Sequence, residues 1–399
     1  MGFRRNETNG DAPVYDHLDD MVSTTLCDTG IRTLKCYDRK CDKCGMDGLH
    51  IMDEEMSKAD TAPDVYWQKY EYMDIKVKGN ATRKKLTLTK QTTKPGNMFE
   101  HLAKCIETYS LHQYSANWQS LQLKNLKENL PMNHVICIHD YSENYRCREK
   151  SEIQADYFQR TEVSLHVTLL HRHAIVGVDG VDSTEENPVI ITEQFFTISE
   201  DLRHDQYFTR EVQRQISIYL RNIGYEARVM HEWTDGCAQQ YKSRHCFGDL
   251  SVATHDLGYD TLLRNFFETS HGKGPHDAAG GYIKAQADLA VTRGQTLIQN
   301  AHDLYLFGTK RLSAVSTPNG CKRRIFVYTE AIPRNDDCRF KSVPNIRSIH
   351  QLITCGNGNL KTRRLSCYSC DNCMDARYDF CQNTEMTGQF RYMIICHYY

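Results

Sequence analysis

The 399-residue sequence predicts a mixed α/β fold, a sheet of parallel and antiparallel strands with crossover helices, flanked by small cysteine-rich segments. Three observations carry that expectation. The stretch "HVICIHDYSENY" (134–145) opens on a short apolar run, Val135-Ile136-Cys137-Ile138, the mark of a strand buried on both faces. Strand-like and helix-like patterns alternate between residues 131 and 310. Cysteines gather in two clusters, one before and one after that stretch.

The length exceeds one ordinary domain, and the chain divides into 1–130, 131–310 and 311–399. With 40% hydrophobic and 25% charged residues, the composition excludes a disordered chain. A net charge of −2 gives no hint of a polyanion partner, but it averages over an asymmetry. Residues 1–75 hold sixteen acids against nine Lys and Arg, whereas 76–94 hold seven cations and no acid. Residues 310–364 hold twelve cations against three acids. Two basic segments in a near-neutral chain are a candidate nucleic-acid footprint, set against the plain alternative of solvated surface. The opening "MGFRRNETNGD" has no apolar core, so no secretory leader is expected, and it lacks a myristoylation signal. No stretch approaches eighteen apolar residues, so no membrane partner is expected. Seventeen cysteines without a leader argue for thiols and metal ligands in a reducing compartment.

In region one, "LCDTGIRTLKCYDRKCDKCG" (26–45) places Cys27, Cys36, Cys41 and Cys44 at x8, x4 and x2 spacing. A Cys-x2-Cys turn presents two thiolates to one tetrahedral ion, and a second pair completes the shell, so structural zinc is expected. His50 is a possible substitute ligand. The segment is too poor in aliphatic residues to fold by burial alone, which suits a metal-dependent fold. Trp67, Tyr70 and Tyr72 are read as packing residues in preference to a base-stacking platform. "NMFEHLAKCIETYSLHQYSANWQSLQLKNL" (97–126) reads as one or two amphipathic helices.

In region two, "HVICIHD" is followed by the β-rich "EVSLHVTLLHRHAIVG" (162–177) and "PVIITEQFFTIS" (188–199). "DQYFTREVQRQISIYLRNIG" (205–224) is a helix, with Val212, Ile216 and Leu220 on its apolar face and Gly224 closing it. "EARVMHEWTD" (226–235) is a strand ending in Asp235, and residues 262–291 pass from an apolar run through a glycine turn into a helix. In region three, Cys367, Cys370 and Cys373 form an x2-x2 series, with Cys381 downstream and His350 and Cys355 upstream. Zinc is again expected, held by four of these six groups. An iron–sulfur motif would continue with x3-Cys-Pro, which is absent.

Asp140 and Asp235 follow strands and Asp277 opens a helix, so the three would meet at the carboxyl edge of the sheet. Converging carboxylates repel unless cations neutralise them, and hard divalent ions share carboxylate and phosphate oxygens. The competing reading gives each acid a turn or helix cap to hold.

The blocks "HDYSENY" (139–145), "TDGCAQQYKSR" (234–244) and "TSHGKGPHDAAGGYIK" (269–284) resemble, in order, three blocks of a family of transposase-like proteins found in animal genomes. The third block is similar to the last motif of DDE integrases and transposases, in which a glycine, two residues and an acid open a helix. The resemblance implies an RNase H-like core and two Mg²⁺ or Mn²⁺ ions held by Asp140, Asp235 and Asp277. It also implies phosphate contacts from Lys242, Lys273 and Lys284, with His271 orienting water or the scissile phosphate. Glu143 and Glu268 are reserve acids. The family usually has glycine after the third acid where this chain has Ala278, and an Asp reaches one methylene less far than a Glu.

What the resemblance implies is DNA strand cleavage and strand transfer by a nuclear, homo-oligomeric protein, with DNA ends and target DNA as partners. The runs "TRKK" and "CKRR" are weak localisation signals. Two rivals stand beside this reading: a catalytically silent DNA- or protein-binding descendant, and an RNase H-like nuclease without strand transfer.

Overall fold

The structure, a computed structural model, describes residues 15–28, 30–76, 82–149, 160–315, 321–334 and 340–395. The first residues of the chain and parts of both basic segments lie outside the described residues. The chain forms two compact units, residues 1–114 and 115–399.

In the first unit, helix α1 (Leu18–Thr24) and the cysteine segment enclose a small core of Tyr15, Met21, Val22, Leu26, Leu49 and Ile106. Strands β1 (Val65–Lys76) and β2 (Thr82–Thr93) pair antiparallel as a two-stranded ribbon. Trp67 is half-buried, its ring 5.2 Å from that of His101 and its Nε1 donating to Thr93 Oγ1 at 3.0 Å. Tyr70 and Tyr72 do not pack as the sequence suggested: they are 67% and 69% exposed. Alternation along a strand sends them to the face opposite Trp67, which no described element covers. Helix α2 (Pro95–Glu128) is one continuous helix, and the unit boundary falls within it.

Among the described residues, the second unit is built on a nine-stranded mixed sheet. Its strands are β3 (His134–Arg146), β4 (Glu162–His173), β5 (Ile190–Ser199), β6 (Val229–Thr234), β7 (Thr261–Phe266), β8 (Arg323–Thr329), β9 (Gln351–Thr354), β10 (Asn359–Arg363) and β11 (Arg391–Ile394). Their order is β11-β10-β9-β7-β6-β3-β4-β5-β8. The β3–β6, β6–β7 and β5–β8 pairs are parallel, and the others antiparallel. Four strands of the basic C-terminal region therefore extend the same sheet. Its longer helices among the described residues are α3 (Gln206–Asn222), α4 (Arg244–Leu257), α5 (Pro275–Thr292) and α6 (Ala301–Phe307). Asp205 caps α3 by accepting the Tyr207 and Phe208 N–H groups, and Ser243 caps α4 by accepting that of Cys246.

Period-two alternation splits the sheet's side chains between two layers. Val135, Cys137 and Met230 face α3 and α4, whereas Ile136, Ile138, Val229 and Trp233 face the last turns of α2 and the second cysteine segment. Helices α5 and α6 cover Val163, Leu165, Val167, Phe196 and Ile198. Within this unit α2 is fastened by side chains: Trp118 Nε1 donates to the Ser366 carbonyl at 2.7 Å and Gln119 Nε2 to the Phe266 carbonyl at 2.8 Å. No helix among the described residues is long and apolar enough to cross a membrane.

Among the described residues two strand carboxylates, Glu193 of β5 and Glu232 of β6, are wholly buried, and the second ties the central strands together. Glu232 of β6 accepts hydrogen bonds from Arg264 Nε of β7 at 2.9 Å and from Gln213 Nε2 of α3 at 2.6 Å. It also meets Nε2 of His139 of β3 at 3.1 Å, while His139 Nδ1 lies 2.9 Å from Thr168 Oγ1 of β4. Burial alone would raise the Glu232 carboxyl, but the Arg264 charge and the His139 and Gln213 hydrogen bonds bring it down to about 2. Removing the cation from such a pair leaves a buried charge uncompensated. Arg264→Met should therefore lower stability by about 3–5 kcal/mol in urea unfolding followed by intrinsic fluorescence. Because the folded-state carboxyl lies below the unfolded value of about 4.3, this stabilisation is complete above that pH and is lost as pH falls towards 2. An Arg264→Met midpoint equal to wild type at pH 7 would contradict the assignment.

Candidate metal centres

The register between β3 and β6 sets the first site. The two strands pair from His134↔Val229 to Ile138↔Trp233, and β6 stops one residue later. Strand β3 runs on to Arg146 along β4, so Asp140 sits inside its strand and not at its end as the sequence suggested. The edge there belongs to β6. Continuing the register by two residues brings Asp140 level with Asp235, and both share the parity of Ile138 and Trp233 and hence one face.

Helix α5 delivers the third acid to that face. Gly274 is its N-cap and Pro275 its first residue, a position where the missing N–H costs nothing. Asp277 Oδ2 accepts the Gly274 N–H at 2.8 Å. Gly280 lets the helix lie close: a Cβ there would stand 2.7 Å from Ser142 Oγ and 3.3 Å from Val167 Cγ2. Ala279, Ile283, Ala287, Ala290 and Val291 bury the same side of α5.

The result is a group of three possible ligands, Asp140, His276 and Asp277, whose ligand atoms all lie within 4.8 Å of one another. His276 is buried, with Nε2 3.8 Å from Asp140 Oδ2 and 3.5 Å from Asp277 Oδ2. Burial is the main influence on its pKa and lowers it, against the pull of Asp277, which favours the neutral imidazole that binds metals. Asp140 is pushed up to about 7, first by burial and then by the charges of Asp235 and Asp277. Asp235 is also raised, chiefly by burial. It stands outside the three-residue group, and its Oδ1 accepts the Cys237 N–H at 3.0 Å in a local turn. His276 was missed in the sequence. Its one signal is adjacency to Asp277 in "GPHD"; His271, the histidine that the resemblance implies, is exposed at the loop.

The cations read as phosphate contacts occupy different settings. Lys273 is exposed on the glycine loop. Lys284 Nζ donates to the Glu143 carbonyl at 3.0 Å, tying α5 to β3. Lys242 is buried: its Nζ donates to the Arg347 carbonyl at 3.0 Å and lies 4.8 Å from the Phe266 ring centre, so in this arrangement it braces the loop after Asp235. Of the reserve acids, Glu268 pairs with His350 at 3.1 Å, and Glu143 is exposed.

Two further groups are all cysteine: Cys27, Cys36, Cys41 and Cys44, and Cys367, Cys370, Cys373 and Cys381. Neither His50 nor His350 nor Cys355 belongs to them. The Cys27–Cys36 and Cys367–Cys370 Sγ pairs are each 3.7 Å apart. A tetrahedron with Zn–S bonds of about 2.3 Å has edges of about 3.8 Å, so both groups fit one zinc ion each, whereas a disulfide needs about 2.05 Å. Backbone and side-chain donors surround the sulfurs. The Cys27 N–H reaches Cys44 Sγ at 3.1 Å, and Asn383 Nδ2 reaches Cys367 Sγ at 3.4 Å. Buried Arg363 points its guanidinium at Cys381 Sγ (3.3 Å) and Cys373 Sγ (3.8 Å), a positive charge where four thiolates would otherwise leave excess negative charge.

A family model described as "Domain of unknown function (DUF8701)" matches residues 119–366, a span that holds Asp140, Asp235, His276 and Asp277 and leaves both cysteine groups outside it. No curated protein and no solved structure matches the chain.

If each cysteine group holds one ion, chain expressed with zinc should carry two zinc atoms per molecule by elemental mass spectrometry. Cys41→Ser and Cys370→Ser should each remove about one. A single-cysteine variant that keeps two would contradict the ligand sets.

Proposed function

We propose, for a chain that belongs to the family described as "Domain of unknown function (DUF8701)", that it is a transposase-like enzyme of the DDE/D type acting on DNA at the Asp140, Asp235 and Asp277 edge. The carrying observation is the convergence of Asp140, His276 and Asp277 within 4.8 Å, beside an Asp235 whose charge is felt at Asp140. Three carboxylates so placed lower their repulsion by sharing divalent cations. Bound Mg²⁺ or Mn²⁺ would supply an activated water and stabilise charge on the transferring phosphate.

The chain's own residues prepare that chemistry. Asp140 and Asp277 face one point, neutral His276 adds a nitrogen donor, and Asp235 offers a second carboxylate level with Asp140. Lys273 and His271 stand exposed on the loop before α5, within the reach of a phosphodiester entering the edge. An RNase H-like core is part of the same reading. It is supported by an antiparallel β3–β4–β5 meander joined through β3 to the parallel strands β6 and β7, with the acids where β6 stops. Two DNA ends held together for joining call for a dimer or larger assembly, working in the nucleus. The basic segments would hold the DNA backbone.

A second reading, a catalytically silent DNA-binding descendant, is favoured by the structural duties of the acids. Asp235 closes a turn and Asp277 caps a helix, tasks that persist without catalysis.

Nicking of supercoiled plasmid by zinc-loaded protein separates the two. The enzyme reading expects Mn²⁺-dependent nicking that Asp140→Asn and Asp235→Asn abolish and His276→Ala reduces by about 10–100-fold. Wild type that binds plasmid and never nicks it, or variants that nick equally, would leave the silent reading in its place.

A further inference from the structure

The β1–β2 ribbon carries a feature that the acidic centre leaves unused. On one face stand Tyr66, Tyr70 and Tyr72, with Leu88 opposite Tyr70 and Leu86 opposite Tyr72. Tyr66, Tyr70 and Tyr72 are 83%, 67% and 69% exposed, and Leu86 and Leu88 are 50% and 46% exposed. Cross-strand pairing steadies such rows, but it leaves the ring faces in water. Exposed apolar rows of this kind mark an interaction surface.

Charge decides the kind of partner. Lys90 stands opposite Gln68 in the middle of the row, Lys84 opposite Asp74 beyond it, and Lys76 ends the strand on the same face. Asp74 is the one acid on this face among the described residues. The reverse face adds Arg83 and Lys85 near the tip, while Glu71 there is paired with Lys69 at 2.9 Å. Strand β2 contains four cations and no acid. An apolar protein partner needs no such excess, whereas a polyanion with flat aromatic units needs both parts. Unpaired bases stack favourably on tyrosine rings whatever their sequence, and lysines follow the phosphates. Duplex DNA keeps its base faces stacked inside and offers tyrosine rings nothing comparable.

We propose that this face of the ribbon binds single-stranded nucleic acid, Tyr66, Tyr70 and Tyr72 stacking on unpaired bases while Lys84 and Lys90 hold phosphates. In the setting of strand cleavage and joining it would hold DNA strands while they are unpaired, and to that extent it rests on the function proposed above. The binding itself makes no use of the acidic centre.

The test is fluorescence anisotropy of a labelled single-stranded oligonucleotide and its duplex with zinc-loaded full-length chain, without Mn²⁺. Wild type should bind the single strand, and Tyr70→Ala/Tyr72→Ala should weaken it by at least about 5-fold with zinc content and circular dichroism unchanged. Duplex affinity should move far less. Lys84→Ala/Lys90→Ala should flatten the salt dependence by roughly 0.7 in log–log slope per cation removed. Wild type that binds the single strand here but never nicks plasmid when Mn²⁺ is added sinks the enzyme reading and keeps this one. Unchanged single-strand affinity in the tyrosine variant overturns the proposal. So does an equal loss for duplex, or a wild-type dimer in sedimentation that the tyrosine variant dissociates, which would assign the face to a second copy of the chain.

Discussion

A buried carboxylate fixes the geometry on which the acidic centre depends. Glu232 has no water to turn to, so its oxygens must be met by Arg264, Gln213 and His139 at once. Those partners come from β7, α3 and β3, and Thr168 of β4 holds the far nitrogen of His139. A one-residue slip of β6 against β3 would send Glu232 to the other face and part it from these three partners. The same register that satisfies Glu232 brings Asp140 level with Asp235 on the opposite face of the sheet. A charge on the side of α3 therefore disciplines the charges on the side of α5.

The second constraint is the closeness of α5. Gly280 removes the side chain that would meet Ser142 and Val167, and Lys284 ties the helix to the Glu143 carbonyl. With the helix held there, His276 and Asp277 in its first turn meet Asp140. The electrostatics follow from burial and crowding: burial first, and then the charges of Asp235 and Asp277, raise the Asp140 carboxyl. A divalent cation would reverse this cost, and a nitrogen donor beside two carboxylates would widen the choice of metal towards manganese and other transition ions.

Much of the sheet was legible because its signals are local. "HVICIHD", the two β-rich stretches, the capped α3 and the glycine turn before α5 each fold as their patterns say. The two zinc-type groups could be proposed from spacing, but choosing four ligands from the six C-terminal candidates could not, because that choice depends on which groups pair elsewhere. His350 is taken by Glu268, and the Cys355 thiol donates to the Ile353 carbonyl. Helix α4 went unread because its Ser243 cap and Gly258 stop bracket a segment of mixed small and polar residues with a weak apolar rhythm. Tyr70 and Tyr72 were misjudged because alternation tells which residues share a face and not whether anything covers it. Lys242 was read for charge, and its burial is set by a distant carbonyl, that of Arg347. His276 was invisible for the opposite reason: a histidine before a helix-opening acid is ordinary until β3 is placed beside it.

The central claim, a metal centre in which His276 joins Asp140 and Asp277, is tested most directly by pulsed electron paramagnetic resonance of Mn²⁺ added to zinc-loaded protein. The account predicts bound Mn²⁺ with a directly coordinated histidine nitrogen, its modulation lost in His276→Ala while the two zinc ions stay in place. Mn²⁺ that remains free in solution, or that binds through oxygen alone in the wild type, would contradict it.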